Sequence, residues 1–256
     1  MSIDAKNEIR ITLILTIFGT CGYLAGLPYF SELAGSPSFY IGGFLLSTVI
    51  NIAIITVMIF LGLRLGQKVG LGAPIFNADM NNEPVGEKLK AVFKIAPLLG
   101  IISGVLVFVF DLFVFSPMMP SSTPSITPSL GSRILVVLYG GIYEEMFLRL
   151  FILTAIIWFV WRIKKKEDGT PYMLTFWVGI ILSVLVFGVL SLSTTALTME
   201  ITSIIAIRAF VLNGIPAVIF GWLYWKQGIE SAIVSHIFAD ITIRVILQQI
   251  LLIALL

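Results

Sequence analysis

Three ionisable residues crowd one short stretch of the chain, Tyr139-Gly-Gly-Ile-Tyr-Glu-Glu-Met-Phe-Leu-Arg149. Glu144, Glu145 and Arg149 fall near the middle of an apolar run from about Arg133 to Trp161. If that run crosses a bilayer, an unpaired charge at its centre costs about 3 kcal/mol or more. On a helix Glu145 and Arg149 are i,i+4 neighbours and can neutralise one another. Glu144 points about a quarter-turn aside and lacks such a partner. A carboxylate in an apolar cavity can act as a general base toward water. The chain's one histidine, His236, is spaced i,i+4 from Asp240, so the two share a helix face. Arg244 lies a turn further along that face and can pair with Asp240. An imidazole can donate a hydrogen bond to a developing oxyanion, so Glu144 and His236 together make a plausible peptide-hydrolysis site. The competing use of Glu145–Arg149 and Asp240–Arg244 is as buried ion pairs that lock helices in register.

Other chemistries fit less well. A single histidine rules out a zinc site of the two-His, one-Glu kind. No cofactor is expected, although a metal held by His236 and several carboxylates stays open. No G-x-S-x-G sequence occurs, which argues against a serine hydrolase. The single cysteine, Cys21, excludes an internal disulfide.

The elements that must position these residues are helices in lipid. Of the 256 residues, 58% are hydrophobic and 12% charged, and the mean hydropathy is +1.05. A soluble domain carries about a quarter charged residues. The expected fold is therefore all-α, a polytopic membrane bundle of about seven transmembrane helices, with residues 1–256 forming one multi-span domain. The spans are expected at about 11–30, 39–63, 95–116, 133–161, 173–192, 201–225 and 231–255. Lys6 and Arg10 before the first run would also suit a signal peptide, but apolar runs continue down the chain and favour an uncleaved first span. A net charge of +2 gives no reason to expect nucleic acid as a partner; membrane lipid is the expected surrounding.

Lysines and arginines alternate between loops. Lys6 and Arg10 precede the first span, Arg64, Lys68, Lys88, Lys90 and Lys94 follow the second, Arg162 and Lys164 to Lys166 follow the fourth, and Lys226 follows the sixth. This asymmetry places the N-terminus in the cytoplasm and the C-terminus outside. The segment Arg64–Lys94 reads as the longest cytoplasmic link. Within it Val85–Lys94 is expected as a solvated basic linker, with an interfacial helix as the alternative. Ser116–Ser132, rich in Pro, Ser and Thr, reads as an external loop. The fourth run, at about 28 residues and 42 Å, exceeds a hydrocarbon core of about 30 Å. It must tilt, kink or project, and Gly140 and Gly141 would let another backbone come close. Asp111 and Arg208 add a further acid and base within the spans.

Against this background Glu144-Glu145-Met-Phe-Leu-Arg149 resembles the EExxxR signature of the type II CAAX prenyl endopeptidases, the CAAX protease and bacteriocin-processing family. Gly221 to Asp240 resembles that family's glycine-led turn followed by its HxxxN-or-D motif. Val186-Phe187-Gly-Val-Leu-Ser191 resembles its FxxxH motif with the histidine replaced by Ser191. The resemblance spans residues 130–250, which would form the protease-like core. It implies an all-helical intramembrane endopeptidase acting on a peptide or lipid-modified protein substrate. By that resemblance Glu144 activates the hydrolytic water and residue 191 helps to bind it. His236 and Asp240 would stabilise the oxyanion, Glu145 and Arg149 would support the site, and Phe187 would line it. Ser191 can hydrogen-bond a water but cannot take its proton near neutral pH. Two other functions stay in view: a non-catalytic relative binding peptides or membrane proteins in an immunity or scaffold role, and an ion-coupled transporter.

Overall fold

Away from water each backbone N–H and C=O must find its partner inside the segment, so long apolar runs fold as helices. The structure is a computed structural model describing residues 4–35, 41–119, 127–196 and 200–254. Among the described residues eight helices follow in order: α1 Ala5–Leu33, α2 Ile41–Val69, α3 Pro74–Met80, α4 Gly86–Met118, α5 Leu130–Ile163, α6 Met173–Thr195, α7 Ser203–Gln227 and α8 Ile229–Ala254. Among the described residues there is no strand. All but α3 are long and apolar enough to cross a membrane, which matches the seven spans expected, with boundaries moved by a few residues.

The largest boundary shift is at α4. It starts at Gly86, so Val85–Lys94 is neither a solvated linker nor a separate interfacial helix but the approach and opening turns of the third span. The link between α2 and α4 shrinks to residues 70–85 and contains α3. Pro74 stands at the start of α3, where its missing N–H costs nothing. The next two amide groups, of Ile75 and Phe76, donate to the Glu230 carboxylate at 2.8 and 3.1 Å. A side chain from the other end of the chain thus caps this short helix. The glycine that turns the chain between α7 and α8 is Gly228, with φ of 91°. Gly221, expected to lead that turn, is buried within α7 against Ile180 and Leu153.

Of the expected external loop Ser116–Ser132, residues 120–126 lie outside the described residues, as do parts of the two other loops on that side. Its C-terminal end is ordered by specific bonds. Ser129 caps α5, and Glu32 of α1 accepts from the Ser129 amide and from the Ser129 and Ser132 hydroxyls at 2.6 to 2.9 Å.

Small residues set how closely the helices approach. Gly100 and Gly104 of α4 form a G-x-x-x-G face on which the carbonyls of Ser235 and Ala239 of α8 rest. Gly22 and Gly26 of α1 meet the Leu138 carbonyl and the Tyr139 ring of α5. Between α1, α2 and α5 lies a dry layer of Ile11, Leu15, Ile55, Ile59, Met146 and Leu150. The outward faces, including Leu46, Val49, Phe113 and Leu174, are apolar and exposed, as a lipid-facing surface requires. Asp111 of α4 and Arg208 of α7 join in a two-pronged pair at 2.6 and 2.7 Å, a partnership that spacing along the chain did not reveal.

Candidate active site

Helix α5 carries the acidic pair on an unusual backbone. Tyr139–Glu144 and Met146–Leu153 are wound as π-helix, with i→i+5 bonding, and so is Ile241–Leu247 of α8. Such wide turns are frequent at functional sites. Beside the first of them, α8 passes close enough that a Cβ on Gly140 would lie 2.5 Å from Asp240 Oδ2 and 3.0 Å from His236 Nε2. The expected close approach at Gly140 and Gly141 is therefore real, and it brings the EExxxR and His–Asp motifs face to face.

Glu145 is the hub. It is fully buried, and its Oε1 lies 2.8 Å from Arg149 Nη1 and 2.7 Å from His236 Nδ1. A carboxylate only accepts, so Nδ1 is the protonated nitrogen of this contact. The Arg149 guanidinium sits 5.4 Å from the Phe220 ring centre and 5.9 Å from that of Phe187, within cation–π range. Phe220 also stacks on the imidazole, with ring centres 4.7 Å apart and planes at 27°. His236 is thereby fixed by one edge and one face. Its other edge, Nε2, faces Asp240 Oδ2 across 3.9 Å, too far for a direct hydrogen bond. Asp240 Oδ1 accepts from Arg244 Nε at 3.1 Å, and Arg244 Nη1 donates to the Tyr29 hydroxyl at 3.1 Å.

Glu144 differs from both other acids. It is half-buried, and among the described residues it has no hydrogen bond and no ion pair. The charged groups that face it are His236, Asp240, Arg244 and Arg149. Sequence spacing anticipated the Glu145–Arg149 and Asp240–Arg244 pairs. It did not anticipate the hydrogen bond between the imidazole and Glu145, although His236 also faces Glu144. Pairing 145 with 149 and 240 with 244 leaves one acid and one imidazole unmatched in the cluster.

Phe187 joins the cluster through Arg149, but Ser191 does not. The Ser191 hydroxyl donates to the Gly188 carbonyl of its own helix at 2.8 Å, and among the described residues no hydrogen bond links it to Glu144 or His236. Sequence reasoning missed the aromatic wall beside Glu144. Tyr139 and Tyr143 stack at 5.1 Å, Tyr23 lies 5.8 Å from Tyr143, and Phe30 lies 4.9 Å from Tyr139. Asn51 of α2 donates to the Tyr143 hydroxyl at 2.9 Å. The i,i+4 tyrosines inside the motif stretch were a visible signal for part of this wall. Nothing near Tyr23 or Asn51 in sequence pointed to it.

Among the described residues no group of three or more His, Cys, Asp or Glu side chains could hold a metal ion. No curated protein and no solved structure matches the chain. Residues 127–242, from the approach to α5 into the π-wound part of α8, match the model of the type II CAAX prenyl endopeptidase Rce1-like family. That stretch holds Glu144, Glu145, Arg149, Phe187, Ser191, His236 and Asp240. Through that stretch, a little under half of its length, this integral membrane protein is similar to the Rce1-like family of type II CAAX prenyl endopeptidases.

Proposed function

We propose that the chain is an intramembrane endopeptidase in which Glu144 activates water for attack on a peptide carbonyl. The observation that carries this reading is the isolation of Glu144. Glu145 and Asp240 are each matched by an arginine, and Glu144 alone is left free to take a proton. In this scheme Glu144 removes a proton from the water as its oxygen bonds to the carbonyl carbon. The oxyanion that forms accepts a hydrogen bond from Nε2–H of His236, whose ring is the imidazolium in this step, with Nδ1–H donating to Glu145 and Phe220 stacked on its face. When the C–N bond breaks, Glu144 returns the proton to the departing amine, so the site ends as it began. Arg149 and Phe187 keep Glu145 and the ring in position. The substrate class that the family implies is a membrane-associated, prenylated protein. The alternation of basic loops orients the N-terminus toward the cytoplasm, where such a substrate is presented.

The test is cleavage of a CAAX-type or transmembrane peptide by the purified protein. Glu144→Ala abolishes turnover while the variant stays folded. Equal turnover by wild type and variant overturns the proposal.

One observation favours a second reading, that of a non-catalytic member which binds peptides or membrane proteins. Ser191 occupies the motif position of a proton-handling histidine, and its hydroxyl is turned back on its own helix. Loss of one proton-handling group typically costs about 10²–10⁴ in rate. This reading expects no cleavage by wild type and a gain only after Ser191→His. Robust turnover by the wild-type chain ends it.

A further inference from the structure

Tyr29 of α1 and Arg244 of α8 lie outside the matched stretch 127–242 and reach Asp240, Arg244 directly and Tyr29 through Arg244. We propose that they are positioning residues, with Arg244, anchored on Tyr29, holding Asp240 away from His236 and so keeping the Nε2 edge of the imidazole open.

Four distances make the argument. Asp240 Oδ1 is engaged by Arg244 Nε at 3.1 Å, while its other oxygen stops 3.9 Å short of Nε2. A hydrogen bond would need about 2.7–3.2 Å, so the carboxylate is withheld by less than a bond length. Arg244 is itself held in two ways. Nη1 donates to the Tyr29 hydroxyl at 3.1 Å, and the guanidinium carbon lies 5.3 Å from the centre of the same ring. Asp240 is buried. Without Arg244 it would be an unpaired charge away from water, and it would turn to the nearest donor. That donor is Nε2.

Closing the gap would change what the site can do. His236 is already bonded at Nδ1 to Glu145. With Asp240 on the opposite edge, the ring would be clamped between two carboxylates, with no nitrogen left for a water or an oxyanion. The charged groups that face the ring are Glu145, Asp240 and Glu144. Of these, Asp240 is the one whose position another element controls. The catalytic consequence rests on the function proposed above, but the geometry can be tested without a substrate.

The chain has a single histidine, so protein labelled with ¹⁵N-histidine in lipid nanodiscs gives one pair of ring-nitrogen signals. Arg244→Gln is expected to move the Nε2 signal toward that of a doubly hydrogen-bonded imidazolium. Combining Asp240→Asn with Arg244→Gln brings it back toward wild type, because the carboxamide has no charge with which to clamp the ring. Tyr29→Phe gives a smaller shift in the same direction. It leaves the Asp240–Arg244 pair in place, and it supplies the reading should Arg244→Gln fail to fold. With an active preparation, Arg244→Gln also lowers kcat by about 10²-fold with KM little changed, and the double variant regains part of that loss. An unmoved Nε2 signal in a folded Arg244→Gln protein overturns the proposal, and so does a shift that persists in full in the double variant. Signals that move as stated in a chain that cleaves nothing would leave the positioning role standing and remove the protease reading.

Discussion

Replacing Gly140 with alanine adds a single methyl group at the point where α5 and α8 meet. The new Cβ would sit 2.5 Å from Asp240 Oδ2 and 3.0 Å from His236 Nε2, and real Cβ atoms essentially never come within 3.0 Å of a neighbour. Something must therefore move by about half an ångström, a shift large enough to overpack the contact. Neither neighbour can recoil freely. Asp240 is tied to Arg244 at 3.1 Å, and the imidazole is tied to Glu145 at 2.7 Å and stacked on Phe220. Overpacking of this kind costs about 1–3 kcal/mol, from which about 1 kcal/mol is recovered because alanine is the better helix former. Catalysis is more sensitive, since a misplacement approaching 1 Å can lose about 10² in rate. Gly140→Ala should thus melt slightly below wild type in a detergent thermal-unfolding assay, yet cleave its peptide about two orders of magnitude more slowly. Gly131→Ala, earlier in α5, is the control. Nothing lies within 4 Å of its Cβ, so it should melt no lower than wild type and cleave normally. If Gly140→Ala matches Gly131→Ala in both assays, the close apposition of the two motifs is wrong.

Glu145→Gln leaves Arg149, 2% exposed, without its counter-charge, and should cost about 3–5 kcal/mol of stability. Adding Arg149→Met should restore much of the melting temperature but no cleavage, and an additive loss would argue against a direct pair. Asp111→Asn should cost roughly half as much or less, because both members of the Asp111–Arg208 pair keep about a third of their side chains exposed and lie near the ends of their spans. Melting losses equal to those of Glu145→Gln would contradict this. Turnover should continue in excess EDTA if, as proposed, Glu144 alone activates the water. Loss of activity that zinc or another divalent ion restores would refute a water activated by glutamate alone.

What could be read from sequence follows the range of the forces involved. Spans show as runs of apolar residues because lipid acts on each segment independently, and the seven helices lie close to where those runs predicted. Pairs within one helix, Glu145–Arg149 and Asp240–Arg244, show because helical geometry fixes their spacing. Pairs between helices do not. Glu145 meets His236 across 91 positions and Asp111 meets Arg208 across 97, and only packing decides those meetings. The hydrogen bond between His236 and Glu145 went unseen for this reason. The π-winding that turns the acidic pair has no pattern in residue type. The start of α4 was misplaced because its first turns carry lysines, whose long stems tolerate a helix that emerges from lipid.

The Asp111–Arg208 pair has a consequence for how the protein is made. Arg208 is synthesised 97 residues after Asp111, and at about 5–20 residues per second that delay is roughly 5–20 s. During this interval the third span has left the ribosome but its counter-ion does not yet exist. Asp111 lies near the end of its span and is about a third exposed, so until Arg208 arrives its carboxylate must be kept hydrated at the membrane face or held at the insertion machinery. Biogenesis of the two halves of the bundle is therefore coupled, and a ribosome stalled before residue 208 should leave α4 open to extraction by alkaline wash while α1 and α2 resist it.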